Sequence, residues 1–446
     1  MHDDLASAVA AHLPRLRRSL EDLVRIPSVS AAGYDPAQVR RSAAATAELL
    51  REAGLREVRL LEINGAHPAV FGEMPGPEGA PTVLLYAHHD VQPPGPAAEW
   101  SIANAFEPAE RDGRLYGRGA GDDKAGIIVH LGAVLAHEGR PPVRVKVLVE
   151  GEEEIGSRHL EDFLAQYHEL LAADVIVIAD SANWRTGVPT LTTSLRGLAD
   201  CIIEVRTLEH AVHSGEFGGA VPDALTALVR TLATLHDDAG RVAVPGLVAV
   251  EAPPVDLTDA ELLRQVDAVP GVELIGEGSL VSRLWTRPAV SVLALDAPPV
   301  AEAINQLVPV ARAKVSLRLA PGQDVAAARA ALIHHLESHV PWGAQVSVTP
   351  GSMGEPFALA TSGPAYEAFR SAFAAAWGRP TVEMGVGGSI PFVAAFAARY
   401  PDATILLTGI ADDKSRAHGP DESVDLDDLR RGILAEAIAL RLLADA

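Results

Sequence analysis

The chain has 446 residues, 48% of them hydrophobic, and a formal net charge of −22; it exceeds one ordinary domain, and its charge argues against nucleic acid or an anionic membrane as a partner. Cys201 is the only cysteine, so no intrachain disulfide and no cysteine-based zinc site can form. No stretch approaches about 18 uninterrupted apolar residues, and Met1-His2-Asp3-Asp4 lacks the basic region and apolar core of a secretory signal, so a cytoplasmic protein without a membrane span is expected.

Residues 6–24 and 38–53 carry apolar side chains at helical spacing, and Gly54 stops the second helix. After a Pro/Gly-rich stretch at 74–81, the apolar run at 82–87 predicts a buried strand. It ends in His88-His89-Asp90. Side chains alternate in extended chain, so His88 and Asp90 share one face and His89 takes the other. An imidazole and a carboxylate converging at a strand end are good ligands for zinc or a similar ion. Next comes Gly117-Arg118-Gly119-Ala120-Gly121-Asp122-Asp123-Lys124, whose glycines permit tight turns, and then an apolar helical pattern at 125–135. Asp122 stands where a helix N-cap would, and a capping carboxylate keeps an oxygen to share with a cation.

Three further apolar runs lead into residues of the same kind. Residues 143–149 open into Glu150-Gly151-Glu152-Glu153-Glu154, Val175–Ile178 is followed by Ala179-Asp180, and the loop after 404–408 carries His418. Apolar runs separated by helical patterns predict a mostly parallel α/β sheet covered on both sides. In such sheets ligands gather beyond the carboxyl ends of the strands. Near residue 190 the character changes. A strand-like stretch at 191–205, containing Ser194-Leu195-Arg196-Gly197, opens two strand-then-helix units, with a Pro- and acid-rich excursion at 252–259. The second unit reads as a strand at 311–319, a helix at 325–340 and a strand at 345–348, and parallel-sheet signals resume after Pro364. The expected organisation is an α/β catalytic domain at 1–189 and 354–446, interrupted by an α+β lid or dimerisation domain at 190–353.

In chain order, His88-His89-Asp90-Val91-Gln92-Pro93, the Gly117 to Lys124 segment, the run EGEEEIGS at 150–157, Asp180, His213-Ser214-Gly215, Gly387-Gly388-Ser389-Ile390-Pro391 and His418 resemble the motifs of the M20 metallopeptidases. The branch that includes cytosolic non-specific dipeptidase and carnosinase is the most similar. The resemblance runs from Ile26-Pro27-Ser28-Val29-Ser30 to the loop around His418. It implies two divalent ions bridged by Asp122, one also held by His88 and Asp180, the other by Glu154 and His418. Zinc is the implied metal, although manganese and cobalt also accept such ligands. The resemblance further implies Glu153 as general base, Asp90 orienting His88, and His213 as an oxyanion donor reaching the site of a neighbouring subunit. Arg318, Gly387, Gly388 and Ser389 would hold the carboxylate end of a small peptide substrate. Residue types alone do not choose among Glu152, Glu153 and Glu154, or between Asp122 and Asp123; the family motifs do. Where many dipeptidase relatives carry Arg-Glu before Gly-Gly-Ser, this chain has Gly385-Val386, which bears on substrate choice. The implied activity is hydrolysis of dipeptides or short peptides with a free C-terminal carboxylate, by a homodimer joined through the lid. An N-acyl-amino-acid deacylase with the same metal pair and a catalytically silent binding protein are the alternatives.

Overall fold

The structure is a computed structural model that describes residues 2–388 and 391–445. The chain forms two compact units. The first comprises the described residues up to Thr193, Leu359–Met384 and those from Pro391 onward; the second comprises Ser194–Ala358 and residues 385–388.

The first unit is built on a mixed sheet. Its strand order is Arg56–Leu61, Ala69–Met74, Arg144–Glu150, Thr82–His88, Val175–Ile178, Thr404–Leu407 and the start of Thr190–Leu195. The four central strands run parallel, and the flanking pairs are antiparallel. Continuous apolar sequence goes with burial on both faces: in Thr82–His88 every residue after the first is buried, and Val175–Ile178 is buried throughout. The helix Lys124–Ala136 is apolar all round, and all of it except Leu135 is buried. It packs against Asp3–Val24 and Leu426–Leu443 in the main core. All four central strands therefore end at one edge, and the chain leaves that edge through His88, Glu150, Ala179 and Thr408.

Two departures from the sequence expectations have simple causes. The strands Arg56–Leu61 and Ala69–Met74 carry no clean apolar alternation, because the first is an exposed edge and the second holds Gly72. Helix Lys124–Ala136 has Asp123, not Asp122, as its N-cap residue, and no side-chain cap bond forms there. Asp122 is thus not a helix cap.

The second unit is a four-stranded antiparallel sheet in the order Ala289–Asp296, Val310–Leu319, Gly197–Arg206, Gln345–Gly354. The helices Ala224–Ala233 and Val325–Ser338 pack on it around an aliphatic core. The single stretch expected at 191–205 is two strands, broken at Arg196. A side chain at Gly197 would meet the Gly354 carbonyl at 2.8 Å, so the new strand begins where only glycine fits. Ala289–Asp296 is an edge strand with Val292, Leu293 and Leu295 exposed. No helix among the described residues is long and apolar enough to cross a membrane.

Candidate metal centre

At the carboxyl edge of the first unit's sheet, five of the residues singled out from sequence come together as two triads. His88, Asp122 and Asp180 form one; Asp122, Glu154 and His418 form the other, and within each the ligand atoms lie within 4.8 Å of one another. Asp122 belongs to both. Its Oδ1 lies 3.0 Å from His88 Nε2, and its Oδ2 lies 3.1 Å from His418 Nε2. Asp180 Oδ1 stands 3.9 Å from His88 Nε2, and Glu154 Oε2 stands 3.1 Å from His418 Nε2.

The surrounding chain holds these groups by hydrogen bonds. His88 ends its strand fully buried, with Nδ1 3.0 Å from the Asp90 carbonyl and 3.5 Å from Asp90 Oδ1. A partner on Nδ1 turns Nε2 toward the cluster. The Asp90 carboxylate is spent mostly elsewhere. It accepts from Ser30 Oγ at 2.7 Å and from the backbone N–H groups of Glu153 at 3.2 Å and Glu154 at 3.1 Å. Asp90 therefore ties the end of one strand to the turn after another. His89 points to the opposite face, where its Nε2 sits 2.9 Å from the Pro68 carbonyl.

The three consecutive glutamates have different surroundings. Glu152 receives the His67 N–H at 2.8 Å on one oxygen and His159 Nδ1 at 2.7 Å on the other. Glu154 accepts from the Gln92 backbone at 3.0 Å and from Gln92 Nε2 at 2.8 Å. The Glu153 carboxylate accepts no hydrogen bond from the described residues and has an oxygen 4.0 Å from His88 Nε2. The two aspartates also differ. Asp123 is buried and accepts the His88 backbone N–H at 3.2 Å, whereas Asp122 turns into the cluster; a cis peptide joins them.

Sequence reasoning gave no part to Ser30, Gln92, Arg118 or Glu422. Glu422 is buried. One of its oxygens accepts the N–H groups of Gly121 at 3.0 Å and Asp122 at 3.1 Å, and the other pairs with Arg118. Arg118 in turn donates to the carbonyl of His418 at 3.0 Å. The pair joins the loop of Asp122 to the loop of His418. The residue types gave a partial signal, since Arg118 lies within a quoted motif, but its partner is 304 residues away.

The donor set fits a pair of divalent cations. Burial pushes the Asp180 carboxyl up to about 7, with Asp122 and Glu154 adding to the rise. Burial, then the charge of Asp180, also raises Glu153. Hydrogen bonds donated to Asp122 and Glu154 pull the His418 imidazole up to about 10. Carboxylates crowded in this way favour any cation between them, proton or metal. Histidine nitrogens with carboxylate oxygens are an ordinary ligand set for zinc.

The remaining singled-out residues belong to the second unit. His213 is exposed and caps a short turn: its Nδ1 accepts the Gly215 N–H at 3.0 Å, so the neutral ring carries its proton on Nε2. Arg318 lies on Val310–Leu319, in register with Leu198, and has no acidic or hydrogen-bonding partner among the described residues. Arg196, which sequence reasoning left without a role, reaches the Gly387 carbonyl at 3.2 Å and the Arg283 carbonyl at 3.3 Å. Burial, followed by the charge of Arg318, lowers it to about 10. A Cβ at Gly387 would come 2.7 Å from Arg196 Nη2, and one at Gly385 would come 2.5 Å from Trp285 Cβ. Gly385 is thus required by the indole packed on it. Gly388 follows with no close neighbour, and Ser389 lies outside the described residues.

Two histidine/carboxylate triads sharing one aspartate, at the carboxyl ends of parallel strands, define a candidate dinuclear metal centre. Residues 84–441 match the model of peptidase family M20/M25/M40, and the chain belongs to that family. It is 37% identical over 395 residues to a cysteinylglycine-S-conjugate dipeptidase of Corynebacterium striatum, covering 87% of this chain and 86% of that one. It is 28% identical to a Cys-Gly metallodipeptidase of Schizosaccharomyces pombe over 82% of this chain and 80% of the relative. Human carnosine dipeptidase 1 has a similar fold, with a TM-score of 0.81 at 23% identity, covering 100% of this chain and 99% of that one.

Proposed function

We propose that the chain is a metallo-dipeptidase of the M20 family, a dinuclear metal-dependent hydrolase that cleaves the amide bond of dipeptides or short peptides with a free C-terminal carboxylate. One observation carries this reading: the two oxygens of Asp122 face different imidazoles, each accompanied by a further carboxylate. The named dipeptidase relatives support the substrate class.

Asp122 would be shared between two divalent cations, with His88 and Asp180 completing one ligand set and Glu154 and His418 the other. Zinc is our reading of the metal. When bound, such a pair polarises the scissile carbonyl and lowers the pKa of an attacking water. Glu153 takes the proton of that water and delivers it to the leaving amine, a role its uncommitted carboxylate supports. Asp90 positions Glu153 through its backbone N–H and His88 through Nδ1. His213, with its proton on Nε2, donates to the developing oxyanion. Arg318, with Gly387, Gly388 and Ser389, receives the substrate carboxylate; the lack of an acidic partner on Arg318 supports this. Arg318→Ala should raise KM for a dipeptide roughly 10–100-fold and change kcat less, as expected when a binding contact is lost.

The second unit serves, in this reading, as the lid and dimerisation domain. The exposed apolar residues Val292, Leu293 and Leu295, on an edge strand whose outer side meets no other strand among the described residues, support a homodimer through that edge. His213 then acts on the partner's site. His213→Ala should lower kcat roughly 10²–10³-fold with metal content intact. Mixing inactive His213→Ala and Glu153→Ala chains under subunit exchange should restore activity, because one site in each heterodimer is complete. Exchanged heterodimers that stay inactive confine His213 to its own subunit.

The reading as a whole is tested by a substrate panel. Dipeptides should be hydrolysed at least tenfold faster in kcat/KM than the matching N-acetyl amino acids. The opposite order makes the chain a deacylase, and no turnover of either makes it a binding protein.

A further inference from the structure

Within the second unit lies a cavity of about 400 Å³, whose lining residues Leu284 and Ala289 adjoin Gly387 and Arg318 through the backbone. That is the size of a small-molecule pocket. Its walls are aliphatic, with Val242, Leu247, Leu262, Leu274, Leu280 and Leu284 among them. Because His236, Glu277 and three arginines line it beside the aliphatic residues, an occupant with an apolar chain and a polar head suits it. Three arginines stand among the lining residues, and their surroundings are unequal. Arg241 pairs with Asp237 at 2.6 Å and Glu277 at 3.2 Å, and Arg287 pairs with Glu277 at 3.3 Å and with Glu251. Arg283 has no carboxylate among the described residues. Its guanidinium bonds only to the carbonyls of Gly278, at 2.8 and 3.0 Å, and Ile275, at 3.2 Å. These bonds fix the group in place and leave its charge unbalanced.

We propose that this cavity is a binding site for an aliphatic carboxylate, with the acyl chain against the leucines and valines and the carboxylate on Arg283. The charge argument selects a carboxylate over a neutral or cationic head, because the acids nearby are already engaged by Arg241 and Arg287. Three of the five guanidinium N–H donors are used by the Gly278 and Ile275 carbonyls, which leaves two on the terminal nitrogens for a carboxylate. The site shares no lining residue with the metal centre.

Calorimetric titration of the metal-loaded, full-length protein with octanoate and with octan-1-ol tests this. Octanoate should bind once per chain with Kd on the order of 10⁻⁴ M, at least tenfold tighter than octan-1-ol. Leu247→Trp, which fills the cavity, should abolish that binding. Arg283→Gln, which leaves the cavity volume in place, should weaken octanoate to the level of the alcohol; it decides the matter even if Leu247→Trp fails to fold. Absence of binding to the wild type overturns the proposal, as does equal affinity for the alcohol. Octanoate binding that survives Arg283→Gln belongs elsewhere, for instance to the metal centre, and overturns it too.

Discussion

Replacing Glu153 by alanine should leave two divalent ions bound and lower kcat by roughly 10²–10⁴-fold. The expectation rests on how differently the neighbouring acids are used. Both oxygens of Glu152 are engaged by His67 and His159, and those of Glu154 by Gln92 and His418. Among the three glutamates Glu153 alone has a carboxylate that accepts no hydrogen bond from the described residues, and it stands 4.0 Å from His88 Nε2 in the first triad. Removing it deletes a proton acceptor without deleting a ligand. The loss should fall on kcat rather than KM, because proton transfer belongs to the chemical step. Elemental analysis and steady-state kinetics on one sample check both halves. Full turnover at full metal occupancy contradicts the assignment, and Glu152 is poorly placed to inherit it.

Asp122→Ala should be more damaging, because it removes a ligand from both triads at once. Metal content should fall well below two ions per chain after dialysis, and activity should vanish with it. The protein should also lose the stabilisation that bound ions confer, about 4 kcal/mol for a site a thousandfold above its Kd. A fall in Tm on the order of 10 °C follows. Chelator should produce a similar fall in the wild type and little further change in the variant. A variant that keeps two tightly held ions would show that Asp122 is not shared between them. It is not a helix cap in either case, since Asp123 occupies the N-cap position.

Much of the first unit is legible in the sequence because its central strands are buried on both faces. The runs at 82–87, 175–178 and 404–408 are largely apolar and the one at 143–149 is Val/Leu-rich with Arg144 and Lys146 in it, and the segments after them bear acids or histidines. His88, Asp180 and His418 are visible for that reason, while Asp122 and Glu154 are singled out from their acidic neighbours only by the family motifs; the structure gathers all five at one edge. What supports them is not legible. Gln92 grips Glu154 across 62 positions, and Glu422 reaches the backbone of Asp122 across 300. Such bonds depend on tertiary proximity, which no local pattern encodes. The exposed edge strand Arg56–Leu61 escapes notice because burial, the source of the periodic signal, is missing there. The break at Arg196 escapes for a different reason: the run is apolar on both sides of it, and only the close approach of Gly354 to Gly197 ends one strand and begins the next.

The central claim is that one carboxylate organises two cations for amide hydrolysis. It is tested most directly by stripping the protein with chelator and adding zinc back in measured equivalents while dipeptide hydrolysis is followed. Activity should rise only as the second equivalent binds and should level off at two ions per chain. Full activity at one equivalent, or in the presence of excess chelator, would contradict a shared Asp122 and the dinuclear reading with it.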